Sequence, residues 1–305
     1  MNPQSNLREQ AVSFGGQTAL SGIVTLPDEL PEGQPRRAII LLNAGTTHRV
    51  GPSRLYVRIA RRLARAGIVG LRFDQSGIGD SPVRRDGLPY AESVALEVRE
   101  AMDFLEREHG VTKFMLTGIC SGAATAFVVA RHDPRVDAAL LINATSHFHE
   151  EHPEQLDRDY RRALIRHSWR IALFSSFRGK NWRKLLGGQL DPKRIASMLF
   201  GRGPKPLAPT AQIKPSSSPS PRTSLNELTA RGVALLHLYS EGDEGLDYFR
   251  TMLGSELKAL ERAGQLQLRV LKGVNHLFTQ LWTQELLLDL VEEWAHEVRG
   301  REALA

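Results

Sequence analysis

Cysteine is almost absent from this sequence, and long apolar runs are absent altogether. The single cysteine, Cys120, has no partner within the chain, which excludes an intrachain disulfide framework and a multi-cysteine metal site. No uninterrupted apolar run approaches the length of a bilayer-spanning helix, and the first residues lack the apolar core of a secretory signal. We therefore expect a cytoplasmic protein without membrane insertion.

Acidic residues are scarce in only one part of the chain. Residues 151–232 contain 16 lysines and arginines against 6 aspartates and glutamates, whereas the remainder contains 24 basic and 28 acidic residues. Neither interleaved aromatics nor a nucleic-acid-binding motif accompanies the basic segment, which argues against a nucleic-acid partner. The overall composition, 41% hydrophobic and 24% charged, is typical of a globular protein.

Short apolar runs alternate with helical periodicities along most of the chain. This alternation predicts the α/β class, with a mostly parallel sheet and right-handed crossovers. The run at 37–43 is continuously apolar, as expected for a strand buried on both faces. The predicted strands span 10–15, 18–25, 37–43, 68–74, 112–117, 136–143, 233–239 and 266–271, and the predicted helices about 55–66, 94–105, 121–132, 246–263 and 283–298.

The alternation is interrupted between residues 146 and 232. Helical stretches at 156–175 and 181–200 are followed by a segment rich in proline, serine and lysine at about 202–223, which predicts a loop. We predict that residues 1–145 and 233–305 form the core and that residues 146–232 form a helical cap inserted between core strands.

The strand predicted at 112–117 leads directly into the sequence Gly118-Ile-Cys120-Ser-Gly122 and a helix. A strand, a glycine-bracketed turn and a helix are typical of a nucleophile elbow, because side chains two residues before or after the nucleophile do not fit the turn. The glycines bracket Cys120, whereas positions 119 and 123, which would have to be glycine for Ser121, hold isoleucine and alanine. We predict Cys120 as the nucleophile; the alternative is a buried structural cysteine.

A base and an acid follow the nucleophile in the expected chain order. Asp243 comes just after the strand 233–239, and His276 just after the strand 266–271. Catalytic groups collect at the carboxyl ends of parallel strands, so the order Cys120, Asp243, His276 predicts a catalytic triad. Asp247 and Glu241 are the competing acids, with Glu244 a weaker one.

An acyl-transfer site also needs backbone N–H groups for the developing oxyanion. The N–H of Ser121, directly after the nucleophile, is one predicted donor. The turn after strand 37–43 supplies the second, for which we predict Gly45, with Ala44 as the alternative; an ordinary glycine-containing turn would have the same local sequence.

These motifs together resemble the α/β-hydrolase superfamily. The resemblance covers residues of roughly 10–145 and 233–298 and implies the α/β-hydrolase fold, with a doubly wound, mostly parallel sheet and no cofactor or metal. The sequence has Asn-Ala where His-Gly is usual and cysteine where serine is usual. The cysteine is similar to that of dienelactone hydrolases and some acyl-CoA thioesterases or acyltransferases, and the stretch from Asn43 to Pro52 is similar to exosortase-associated hydrolases. The motifs are Asn43-Ala-Gly45, Asp74-Gln-Ser-Gly77-Ile-Gly79-Asp-Ser81, Gly118-Ile-Cys-Ser-Gly122, Asp243 and His276.

Three functions fit these residues. The first is a hydrolase that cleaves small-molecule esters or thioesters through an acyl-thioenzyme; the second is an acyltransferase that passes the acyl group to an amine, alcohol or thiol. The third is a non-catalytic member that binds a ligand or a partner protein. The basic segment could steer a substrate linked to CoA or an acyl carrier protein, although a solvated helical face would carry the same charges.

Overall fold

The computed structural model of the chain describes residues 7–28, 36–144 and 221–302. Eight strands within these ranges form a single sheet in the order β1-β2-β4-β3-β5-β6-β7-β8. Strand β2 is antiparallel to β1 and to β4, and the other neighbouring strands are parallel. The strands are β1 (Arg8–Phe14), β2 (Leu20–Leu26), β3 (Arg37–Leu42), β4 (Val69–Phe73), β5 (Lys113–Ile119), β6 (Val136–Ile142), β7 (Ala234–Ser240) and β8 (Leu266–Leu271).

Helices cover both faces of the sheet, which explains why its central strands are continuously apolar. Every residue of β3 and β7 is buried. Ile59 and Leu287 pack on one face, and Val98 and Phe127 pack on the other. The predicted α/β class and mostly parallel sheet are therefore confirmed. The helices are α1 (Leu55–Arg65), α2 (Tyr90–His109), α3 (Ser121–His132), α4 (Pro221–Ala230), α5 (Glu244–Leu253), α6 (Glu256–Arg262) and α7 (Leu281–Glu302).

The single helix predicted over 246–263 is two helices, α5 and α6. Gly254 ends α5 with a φ of 55°, a left-handed conformation that glycine adopts without steric penalty. The apolar periodicity continues through Leu257 on the far side of this break. Periodicity alone therefore did not reveal the break between the two helices.

Helix α4 lies at the end of the range predicted as the cap. Its Leu225 and Leu228 are fully buried in the same core cluster as Phe127 of α3. The helix begins at Pro221, where the prediction had a loop to residue 223. The other elements predicted for the cap, the helices at 156–175 and 181–200 and most of the basic segment, lie outside the described residues, so the division into core and cap stays a prediction.

Within the described ranges, no helix combines the length and apolar character that crossing a bilayer requires.

Candidate active site

Cys120 occupies the turn between β5 and α3. Its backbone has φ 57° and ψ −115°, an uncommon conformation for a residue with a side chain. Such conformations cost free energy and persist where the surrounding structure enforces them, often at functional sites. The Cys120 N–H donates a hydrogen bond to the carbonyl of Ile142 at the end of β6, at 3.0 Å. The thiol is half-buried at the N-terminus of α3, where the helix dipole favours an anion.

Two glycines make this turn possible. A Cβ atom on Gly118 would collide with the backbone of Gly122. A Cβ atom on Gly122 would lie 2.6 Å from the carbonyl oxygen of Leu42 and 2.7 Å from that of Asn43. Helix α3 therefore begins in direct backbone contact with the end of β3. The glycine bracketing that pointed to Cys120 has a steric cause in the structure.

Asp243 and His276 lie next to each other at the same edge of the sheet. Asp243 caps the N-terminus of α5, with its Oδ1 accepting the Gly245 N–H at 2.9 Å. Its Oδ2 lies 2.6 Å from His276 Nδ1. The Asp243 side chain is 5% exposed and that of His276 is 38% exposed, so the carboxylate is buried beneath an accessible imidazole. Capping by one oxygen leaves the other free to orient the ring.

The imidazole of His276 connects the carboxylate to the thiol. It hydrogen-bonds Asp243 and Cys120, and these two bonds, the Asp243 bond first, raise the pKa of His276 from 6.5 to about 10 against the opposing effect of burial. Cys120, His276 and Asp243 therefore form a hydrogen-bonded row, and the predicted residues do meet. The raised pKa favours an imidazolium on His276 at neutral pH.

The competing acids lie elsewhere around α5. Glu241 is exposed in the turn before the helix, Glu244 is its first residue and Asp247 is buried on it. Among the described residues, the carboxylate that pairs with His276 is that of Asp243.

The predicted oxyanion donors meet in an unexpected way. Ser121 is the first residue of α3, and the Gly45 N–H donates to its hydroxyl oxygen at 2.8 Å. The turn after β3 therefore reaches the nucleophile turn through Gly45, which has a φ of 56°. Ala44 is buried, and its carbonyl accepts the Thr47 N–H at 3.0 Å to close the turn.

Asn43, which stands where histidine is usual, ties two loops together. Its Oδ1 accepts the Gln75 N–H and its Nδ2 donates to the Thr47 carbonyl, both at 2.9 Å. Asp74, fully buried after β4, pairs with the Arg49 guanidinium and accepts the Arg49 N–H at 2.5 Å. The Asp-x-x-Gly-x-Gly-x-Ser stretch thus fixes the loop that carries Gly45.

Sequence reasoning missed three residues that support the row. The hydroxyl of the buried Tyr56 accepts the Ile119 N–H at 3.1 Å, directly before the nucleophile. Burial and the nearby charge of Cys120 raise the pKa of this phenol. Asn143 and Ser240, at the ends of β6 and β7, hydrogen-bond the backbone of the His276 loop. Their position at carboxyl strand ends was the available signal, but neither belongs to a motif.

The sheet order, the nucleophile turn and the hydrogen-bonded row define an α/β-hydrolase. The sequence profile of the Hydrolase_4 family, described as serine aminopeptidase, S33, matches residues 33–194, more than half of the chain. The chain belongs to this family and is an enzyme of the α/β-hydrolase superfamily. The family description names serine, whereas the residue at the turn of this chain is Cys120.

Solved structures of α/β-hydrolases share the fold at low sequence identity. Dienelactone hydrolase from Anabaena variabilis is 15% identical, with a TM-score of 0.55 over 95% of this chain and 98% of that one. An esterase from Pyrococcus furiosus is 14% identical, with a TM-score of 0.55 over 98% and 94% of the two chains. Est1E from Butyrivibrio proteoclasticus is 16% identical, with a TM-score of 0.55 over 94% and 98%. A search among curated proteins found no match.

Proposed function

We propose that this enzyme hydrolyses ester or thioester bonds with Cys120 as its nucleophile. The observation that best supports the proposal is that His276 hydrogen-bonds both Cys120 and Asp243. A thiol, an imidazole and a carboxylate in this order are the groups that covalent acyl transfer needs. The names of the similar structures, a dienelactone hydrolase and esterases, agree with ester substrates.

The proposed reaction begins with the Cys120 thiolate. Its sulfur attacks the substrate carbonyl carbon, forming a C–S bond and moving the carbonyl π electrons to oxygen. The N–H groups of Ser121 and Gly45 stabilise this oxyanion. As the oxyanion collapses, the bond to the leaving oxygen or sulfur breaks and the His276 imidazolium supplies the proton that this atom needs.

Water completes the proposed cycle. Neutral His276 takes a proton from the water that attacks the acyl-thioenzyme, while Asp243 stabilises the imidazolium that forms. Collapse of the second tetrahedral intermediate releases the carboxylic acid and returns the thiolate. Each turnover consumes one water and one acyl ester or thioester.

Cys120 is a better candidate nucleophile than its neighbour Ser121. Cys120 has the strained backbone of the turn and bonds to His276, whereas the Ser121 hydroxyl accepts a hydrogen bond from Gly45. The proposal therefore places sulfur where the family description leads one to expect oxygen.

The direct test is intact-mass analysis after acid quench of the protein mixed with aryl esters and acyl thioesters. We expect an adduct of one acyl mass that is lost again as product acid appears, and that fragmentation of the peptide carrying both residues assigns to Cys120 and not to Ser121. Cys120→Ala serves as the matched control, because it keeps Ser121 and removes only the sulfur. An adduct on Ser121, or turnover by Cys120→Ala, would overturn the thiol assignment.

The same experiment separates the other two functions. An acyl group recovered on an added amine, alcohol or thiol in preference to water identifies an acyltransferase. No adduct and no turnover with any member of the panel favours the non-catalytic alternative over the proposed reaction. A panel that includes acyl-CoA thioesters also tests whether an anionic carrier is preferred.

A further inference from the structure

Three consecutive residues at the carboxyl end of β6 contact Cys120, His276 and the glycine that binds Asp243. The Ile142 carbonyl accepts the Cys120 N–H at 3.0 Å. The Asn143 side-chain amide donates to the His276 carbonyl at 2.7 Å. The Ala144 carbonyl lies against Gly245, where an added Cβ would be 2.5 Å from it. The Gly245 N–H in turn donates to the Asp243 carboxylate. The positions of the nucleophile, the base and the acid therefore all depend on residues 142–144.

Asn143 is the residue of this tripeptide whose side chain joins β6 to the loops after β7 and β8. It is fully buried, and its Nδ2 donates to Ser240 Oγ at 3.0 Å as well as to the His276 carbonyl. Its Oδ1 accepts the Ser240 N–H at 2.7 Å. The Ser240 hydroxyl in turn donates to the Asn275 carbonyl at 3.1 Å. The partners fix the amide orientation, because a flipped amide would point N–H at N–H.

The residue type also suits the backbone. Asn143 has a φ of 47°, a left-handed conformation that asparagine tolerates better than most side chains. Its N–H continues the parallel ladder by donating to the Leu238 carbonyl at 2.8 Å. An aspartate would put a carboxylate oxygen against the His276 carbonyl, two acceptors in a buried place.

We propose that Asn143 is a positioning residue that sets the distance between the His276 imidazole and the Cys120 sulfur. Asp243 orients the ring of His276. The backbone of His276, however, lies in the loop after β8, and β8 is two strands away from β6 in the sheet. The Asn143 amide crosses that distance and ties the loop to the strand end that holds Cys120. The inference rests on the proposed function for its chemical meaning, although its test does not need a substrate.

Alkylation of Cys120 by iodoacetamide at a series of pH values measures the consequence. In the wild-type protein His276 hydrogen-bonds the sulfur, so the alkylation profile of the wild type is the reference for a thiol beside an imidazolium. We expect Asn143→Gly to raise the midpoint of the alkylation profile by about one pH unit, so that alkylation below both midpoints is about tenfold slower. Glycine accepts the left-handed backbone, so this variant removes the amide without adding strain.

Thr117→Val is the matched control. The buried Thr117 hydroxyl donates to the Leu140 carbonyl at 2.9 Å, which is also a bond between side chain and backbone that joins neighbouring elements of the sheet. We expect this variant to lose stability and keep the wild-type midpoint. A wild-type midpoint in Asn143→Gly, or an equal shift in Thr117→Val, would overturn the proposal.

Ser240→Ala gives a second measurement should Asn143→Gly fail to fold. It deletes the hydroxyl that holds both Asn143 and Asn275, and we expect a smaller shift of the midpoint in the same direction; an unchanged midpoint again overturns the proposal. Alkylation involves no ester. If the wild-type protein turns over no ester or thioester, the proposed function is refuted, but the alkylation midpoints still test the role of Asn143.

Discussion

The two halves of the candidate site are held by different forces. The nucleophile half, made of the turns after β3 and β5, is shaped by backbone contact and by the positive φ of Cys120. The base half, made of the loops after β6, β7 and β8, is shaped by buried side-chain hydrogen bonds around Asn143 and Asp243. In the first half, a larger side chain at a glycine of the turn would collide with backbone. In the second half, removing one hydrogen-bond partner displaces the residues it holds but leaves the other bonds in place. Apart from loss of the sulfur itself, changes in the first half should therefore act on stability, and changes in the second on rate.

The largest expected effect comes from the sulfur itself. Cys120→Ala should lower kcat by about 10⁴-fold or more, as removal of a covalent nucleophile does. Its thermal unfolding midpoint should change little, because alanine retains the Cβ that the turn already accommodates. Turnover of a chromogenic ester measures the change in kcat, and a melting curve measures the unfolding midpoint. Substantial residual turnover would move the nucleophile elsewhere.

His276→Ala comes next and tests the base half. Loss of a positioned general base and acid should lower kcat by at least about 10²-fold. Because its ring is 38% exposed, truncation should leave the fold intact. Steady-state kinetics with circular dichroism measure both quantities, and an unchanged rate would refute the role of His276.

Asp243→Asn should have a smaller effect on rate, about 10²-fold, the lower end of what positioned acid–base groups contribute. The asparagine oxygen can still cap α5 through the Gly245 N–H, but its NH₂ group faces His276 Nδ1 and disfavours the imidazolium. The pKa of His276 should fall from about 10 towards 6.5. NMR titration of the ring reports this directly, and kinetics like those of the wild type would pass the acid role to Glu241 or Asp247.

Gly122→Ala should destabilise the fold at the nucleophile half of the site. The added Cβ would meet the carbonyl of Leu42, and overpacking of this kind costs about 1–3 kcal/mol. Gly300→Ala is the matched control, because Gly300 is an exposed residue of α7 with no atom near its added Cβ. In a helix that change should stabilise by about 0.5–1 kcal/mol. Chemical denaturation measures both, and equal stability of the two variants would contradict the steric account.

A further expected effect is the dependence of stability on pH. The pKa of His276 is raised on folding, so its stabilising contribution is complete below 6.5 and is lost as pH rises through about 10. The difference in unfolding free energy between the wild type and His276→Gln should therefore shrink as the pH increases over this range. A difference that grows instead would mean that folding does not raise the pKa of His276.

The sequence was sufficient to predict the residues that meet in the row. Cys120, Asp243 and His276 each follow an apolar run, and carboxyl ends of parallel strands share one edge, so their proximity follows from the pattern. Their catalytic roles remain predictions. Asn143 was missed because one asparagine after a strand has no motif, and its importance depends on loops that only the fold brings near.

Other features needed three dimensions for similar reasons. The break at Gly254 leaves the apolar periodicity of α5 and α6 almost unbroken. The burial of Leu225 and Leu228 is concealed by the polar composition around them, which favoured a cap. In both places the local pattern is compatible with two packings, and contact with the sheet decides between them.

The bond between the Gly45 amide and the Ser121 hydroxyl has a consequence for how a substrate arrives. In the resting enzyme this amide already has an acceptor, so no solvent molecule has to be stripped from it at the moment of docking. If Gly45 is the second oxyanion donor, the incoming carbonyl exchanges places with a hydroxyl that swings aside on a single torsion. Removing that hydroxyl would then leave the amide hydrated and change the on-rate more than the chemical step.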